Sequence, residues 1–328
     1  MPIVEDEKTV LVTPAGAALA ELTPLAARVK ELVDADPIAK RSQKAYAGDW
    51  RAFEGWCSGK GLPTEPPAAS TLLLYLKALA EEGAKLSTLE RAQAGIVHTW
   101  GRKGHEWFPP IECVRFWWNL RRSRAELGER TTRKAALTVD LLARVVTALP
   151  LDLRGVRDRA LLVLGVIGAF RRSELVALDV EDVAFVPDGM IITVRRSKTD
   201  QEAKGFEKGI PFAENPALCA TKLLRAWLDA ADIDGGPLFR RVTPERGFSR
   251  LESGSVGRIV KRAVERIGLD SDLYSGHSLR AGFVTSAAEA GRNLPEIKAQ
   301  TGHASDRIVQ GYIRHANLFK KNAAKGLL

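Results

Sequence analysis

Between Ala160 and Phe170 the chain runs for eleven residues without a polar side chain. A helix that is apolar on every side has to be covered on every side by protein. At this length the segment also falls well short of the ~20 residues that span a bilayer. The reading is a buried central helix, which demands further elements packed around it. A chain of 328 residues with 45% hydrophobic content can supply them, and the length by itself suggests two domains.

The patterning divides accordingly. Residues 1–36 are Ala- and Pro-rich with scattered acids and are expected to form a mobile arm, with one short helix over 24–33. Tyr46, Trp50, Phe53 and Trp56 recur at helical spacing, which predicts an amphipathic helix over 38–59. Gly59, Gly61, Pro63, Pro66 and Pro67 end it. Ser70 is read as the cap of a helix over 71–79, Ser87 or Thr88 as the cap of a third running to 101, and a fourth covers 111–127. These make an all-helical domain at 37–127. The polar stretch 128–137, beginning GERTTRKAA, lacks apolar periodicity and reads as a linker. A larger domain occupies 138–328. Its helices are expected at 138–149, 153–169, 171–178, 214–232, 254–267, 277–291, 294–301, 304–315 and 317–326. Met190–Val194 and Gly209–Phe212 predict a small hairpin or sheet with a polar loop from Ser197 to Lys208. The expected fold class is mainly α with a small antiparallel β-sheet.

The net charge is +9, and residues 131–328 hold +8 of it. Such a surplus suits a polyanion, nucleic acid above all, although a merely basic solvated surface is the bland alternative. Three widely spaced cysteines, Cys57, Cys113 and Cys219, suggest neither a disulfide framework nor a metal site. Reduced thiols in a cytoplasm are the simple reading, and no membrane segment or signal peptide is visible.

Familiar active-site patterns fail one by one. GWCSGKG at 55–61 has its glycines too close together for a phosphate loop, and no Ser or Thr follows its lysine. His105-Glu106 is followed by Pro109 where a zinc protease needs histidine. Gly276-His277-Ser278 has Arg280 where a hydrolase elbow needs glycine. If the chain breaks phosphodiesters, it is expected to do so without metal, ATP or other cofactor.

That chemistry asks for fixed cations at the phosphate oxygens, a nucleophile, and an acid for the leaving oxygen. Arginine suits the first role because its planar fork donates two hydrogen bonds and stays charged. The second domain offers Arg171 and Glu174 at a helix start, Lys198 in the hairpin, and His277 and Arg280 three apart on one helix face. Thr301-Gly302-His303 follows another helix, and Tyr312 stands nine residues after His303. Each alone has a structural reading: a surface ion pair, a solvated helix start, a half-buried core tyrosine. Their order and spacing give them weight together.

At these residues the chain strongly resembles the tyrosine recombinase, or phage integrase, family. The family pattern is an arginine in a G-x-R-x-S-E-L box, a hairpin lysine, H-x-x-R, G-H or G-W, then tyrosine. The matching residues are Arg171, Lys198, His277, Arg280, His303 and Tyr312. The linker GER, Ser275-Gly-His-Ser, Leu294-Pro-Glu-Ile and Tyr312-Ile-Arg are most like the Cre-type branch, except that His303 stands where that branch carries tryptophan. Arg171 is preferred to Arg172 because it stands two before Ser173-Glu174-Leu175. Lys198 is preferred to Lys204 and Lys208 for its S-K-T setting. The resemblance implies a helical core-binding domain joined to a catalytic domain, both clamping double-stranded DNA that carries a specific site. It implies cleavage through a 3′-phosphotyrosyl bond at Tyr312, with Arg171 and Arg280 on the phosphate and Lys198 protonating the 5′-oxygen. His277 would move the tyrosine proton, His303 would support the transition state, and Glu174 would position its neighbours. It also implies a homotetramer that works through a Holliday junction, in a bacterial or phage-type, nucleoid-associated setting. The last helix, 316–328, commonly docks on a neighbour in this family. Lys44, Arg91, Arg122, Arg124 and Arg172 are the expected DNA contacts. Two other readings stay open: a type IB topoisomerase, and a non-catalytic DNA-binding protein of the same fold.

Overall fold

The computed structural model describes residues 38, 40–127, 134–195, 205–242, 249–302 and 306–316. The chain divides into two compact units, Met1–Thr131 and Thr132–Leu328. The expected helices at 24–33 and 317–326 lie outside the described residues.

Among the described residues the first unit holds four helices: α1 (Lys40–Lys60), α2 (Ala69–Glu81), α3 (Leu86–Arg102) and α4 (Ile111–Glu126). The aromatic series of α1 turns inward, as its spacing requires. Phe53 is fully buried, its ring 5.2 Å from Tyr75 and 5.9 Å edge-on from Trp100. Trp100 can be buried because its Nε1 donates to the Thr64 carbonyl at 2.9 Å. Both expected caps are corrected. The chain enters α2 at Ala68 and α3 at Lys85, each in extended backbone, so Ser70, Ser87 and Thr88 lie within the first turns. Extended chain leaving the proline-rich connection sets the first of these entries, and no side-chain cap bond forms at either.

The second unit surrounds the apolar run. That run forms most of α6 (Leu153–Ile167), with Ala160–Leu164 fully buried. Around it stand α5 (Val139–Ala148), α7 (Arg172–Ala177), α8 (Ala220–Ala231), α9 (Ser253–Glu265) and α10 (His277–Glu289). α11 (Leu294–Thr301) and α12 (Asp306–Ala316) add a small satellite core of Val284, Ala288, Ile297 and Val309. α10 approaches α6 closely at Gly165, where a Cβ would meet Leu279 Cδ1 at 2.7 Å. Its start is pinned as well, since the Leu137 amide donates to the Ser278 carbonyl at 2.9 Å.

The sheet has three antiparallel strands in the order β1 (Val183–Val186), β2 (Gly189–Val194), β3 (Phe206–Pro211). β1 is absent from the elements expected of the sequence. β3 begins earlier than the apolar piece suggests, so Lys208 is a strand residue rather than the end of a loop. It pairs with Ile192, and both side chains are buried. No described helix is long and apolar enough to cross a membrane.

Candidate active site

The site is organised by the end of α6. Gly168 closes the helix, its amide donating to the Leu164 carbonyl at 2.9 Å. Ala169 then adopts the left-handed conformation at φ 49°. This is a common way for a helix to end, though glycine usually takes that place. Here glycine is needed one residue earlier: the Phe170 ring folds back so tightly that a Cβ on Gly168 would lie 2.1 Å from it. The reversal delivers Arg171 in extended backbone at the mouth of α7.

Glu174 fixes Arg171 twice. One carboxylate oxygen accepts from the Arg171 amide at 2.9 Å, the other from its guanidinium at 2.5 Å. The Glu174 side chain is 2% exposed and that of Arg171 21%, so the pair points its arginine end outward. A charge pair desolvated to this degree is far more ordered than a surface one.

Arg280 arrives from the first turn of α10 and is buried. Its Nη1 donates to the carbonyl of Ala169, the left-handed residue, at 2.8 Å. His277, at the start of the same helix, is open to solvent on one side and covered by protein on the other, and its amide donates to Ser275 Oγ at 3.2 Å. The Arg172 stem passes over Gly276, where a Cβ would lie 3.3 Å from Arg172 Cδ.

These groups feel one another. Burial, then the charge of Arg171, pushes Arg280 down to about 10 against the pull of Glu174. Burial, then the charges of Arg280 and Arg171, holds His277 below its ordinary value. Lys208 is pushed down to about 7 by burial and by the same two arginines. Cations with depressed pKa values share one region around the buried carboxylate Glu174. Among the described residues positive charge exceeds negative there, which favours an anion able to accept several hydrogen bonds.

Arg171, Glu174, His277 and Arg280 are thus brought together. Tyr312 is on α12, which packs against α10 and α11, and it is half-buried beside the satellite core. Lys198 and His303 lie outside the described residues. Among the expected DNA contacts, Lys44 and Arg172 are exposed. Arg91 pairs with Asp49 at 3.1 Å and Arg122 with Glu126 at 2.9 Å. Arg124 needs correction: it is 7% exposed and donates to the Ala80 carbonyl, so its guanidinium is engaged inside the first unit. Sequence reasoning also undervalues Lys208. Its signal is the alternation Phe206-x-Lys208-x-Ile210, a charge standing in an inward apolar row.

Residues 136–318 match the phage integrase family model. An integrase/recombinase XerD homologue of Selenomonas ruminantium is 38% identical over 291 residues, covering 87% of this chain and 84% of that one. The chain belongs to the phage integrase family. Its relatives within this family of tyrosine recombinases include the Cre recombinase of Escherichia phage P1, 26% identical over 86% of both chains. The integrase fold is shared with XerH site-specific recombinase bound to difH substrate, at TM-score 0.62 and 16% identity over 87% of this chain and 79% of that one. It is shared too with a lambda integrase dimer bound to a core site, at TM-score 0.58 and 19% identity over 88% and 94%. As a tyrosine recombinase, the chain is an enzyme of DNA strand breaking and rejoining.

Proposed function

We propose how this recombinase divides the work among its residues. Arg171 and Arg280 hold the non-bridging oxygens of the scissile phosphate, and Glu174 keeps the Arg171 fork aimed. Tyr312 Oη attacks phosphorus and forms the 3′-phosphotyrosyl bond while its proton passes to His277. The bond from phosphorus to the 5′-oxygen breaks, and Lys198 supplies the proton that this oxygen takes. His303 donates to a phosphate oxygen. A 5′-hydroxyl of a partner strand then attacks the phosphotyrosine and releases Tyr312, so the phosphodiester is remade without an outside energy source.

The observation that carries this reading is the convergence of Arg171, Arg280 and His277 around Glu174, where burial and then mutual repulsion hold Arg280 and His277 below their ordinary values. A phosphodiester relieves that repulsion, and the negative charge added in the transition state relieves it further. A histidine held neutral can accept the tyrosine proton.

The same reading extends to the wider arrangement. Residues 37–127 and 138–328, joined by the linker 128–137, would both clamp the duplex, with residues 1–36 as an arm. Four copies would act on two sites through a Holliday junction, in a bacterial or phage-type, nucleoid-associated setting. The test is direct. Duplexes bound by the full chain are selected from random sequence, and a nicked suicide version of the selected site is incubated with it. A covalent adduct through Tyr312 supports the reading, and joined products from two linear site-bearing duplexes separate recombination from relaxation.

A further inference from the structure

Lys208 takes no part in the chemistry above, yet it is 1% exposed in the middle of β3. Its Nζ donates to the carbonyl oxygens of Gly168 and Gln300, each at 2.6 Å. The ammonium lies 4.6 Å from the Phe170 ring centroid and 5.2 Å from that of Phe206. The two carbonyls sit at the ends of α6 and α11, so one side chain ties two helix ends to the sheet. The Gln300 side chain reinforces the joint by donating to the Ile167 carbonyl at 3.1 Å.

The residues just after Gly168 give the joint its meaning. Ala169 supplies the carbonyl that receives Arg280, and Arg171 comes two residues later. Both arginines therefore hang on a four-residue turn, 168–171, whose first carbonyl Lys208 holds. The arrangement is unfavourable in itself, since an ammonium is buried close to two guanidinium groups, a cost that the Glu174 carboxylate offsets in part. Neutral donors could satisfy two carbonyls without that penalty.

We propose that Lys208 is a positioning residue for strand cleavage, holding the 168–171 turn against the end of α11 so that Arg171 and Arg280 keep their spacing. This rests on the assignment of those arginines to the phosphate. Lys208 is not assigned as the general acid of the reaction: its Nζ is engaged with two carbonyls inside the protein and is buried from solvent.

The experiment compares two suicide duplexes of the selected site, one ordinary and one with sulfur in place of the bridging 5′-oxygen. A thiolate leaves without protonation, so loss of a general acid disappears on the sulfur duplex, whereas loss of positioning persists. Lys208→Met is expected to bind with unchanged Kd and to form adduct about a hundred-fold more slowly on both duplexes. Lys208→Arg, which keeps donors for the carbonyls, is expected to recover most of the rate. Lys208→Gln, too short to span both carbonyls, replaces Lys208→Met if that variant does not fold. The proposal is overturned by cleavage within about three-fold of wild type, a change too small for lost positioning, by rescue on the sulfur duplex, or by equal loss of binding and cleavage. A wild-type chain that forms no Tyr312 adduct on either duplex overturns the parent reading, and this one with it.

Discussion

Arg280 and Ala169, 111 residues apart in sequence, are joined by a hydrogen bond of 2.8 Å from Nη1 to the carbonyl oxygen. The bond sets the direction of the guanidinium plane. Arg280→Ala is expected to lower adduct formation at least about a hundred-fold, as loss of a transition-state donor does, while duplex binding falls only a few-fold. Arg280→Lys is expected to recover little, because a point charge lacks the fork. Single-turnover cleavage beside a binding isotherm checks both, and near-normal cleavage by Arg280→Ala would remove it from the phosphate.

Tyr312 is half-buried against the satellite core, so its ring has a packing role as well as a hydroxyl. Tyr312→Phe keeps the ring. It is expected to melt within a degree or two of wild type, bind the duplex, and form no covalent adduct on denaturing gels. An adduct that survives this change would assign the nucleophile elsewhere.

His277 is held below the ordinary histidine value of 6.5 by burial and by the charges of Arg280 and Arg171. It is therefore neutral at pH 7 and becomes protonated only as pH falls through its lowered value, where it can no longer accept a proton. The second-order rate of adduct formation reports the free enzyme. It is expected to be flat near neutrality and to fall on an acid limb lying below the ordinary 6.5. In Arg171→Gln, one repelling charge fewer should move that limb upward. A limb that stays put would break the link between this histidine and the arginine.

Lys208 links pH to stability. Its folded value of about 7 lies below the ordinary 10.5 because of burial and of Arg280 and Arg171, against Glu174. Below pH 7 the group is charged in both states, and its burial weighs fully against the fold. Between about 7 and 10.5 the unfolded chain binds more protons than the folded one, so stability rises with pH on this account. Relative to Lys208→Met, the wild-type chain is expected to gain up to ~1.4 kcal/mol per pH unit in that window. Denaturant melts of both proteins at several pH values give the slopes, and parallel slopes would refute the assignment.

Period and spacing make much of this architecture readable before any coordinates. The helical aromatics of α1, the apolar run of α6 and the three-residue step from Arg171 to Glu174 all rest on them. The parts that escape are set by tertiary context. Val183–Val186 is too short to announce a strand and forms one only because β2 lies beside it. Lys208 and Arg124 look like surface cations in sequence. Each is buried because carbonyls at distant helix ends accept its protons, and no local pattern encodes that. The tyrosine, lysine and histidine of the family pattern are legible only as a spaced series, since each alone has an ordinary structural role.

The left-handed alanine at the head of the site has an implication for anyone who improves this protein in the laboratory. A non-glycine residue at φ 49° gives up roughly 1 kcal/mol or more to crowding at its Cβ, and Ala169→Gly would relieve it. A screen that rewards heat resistance alone would therefore be drawn to this position. It would select a chain that melts later but turns over more slowly, because the methyl group it discards restricts the backbone from which both arginines hang. Durability and speed are set against each other there at a single carbon atom.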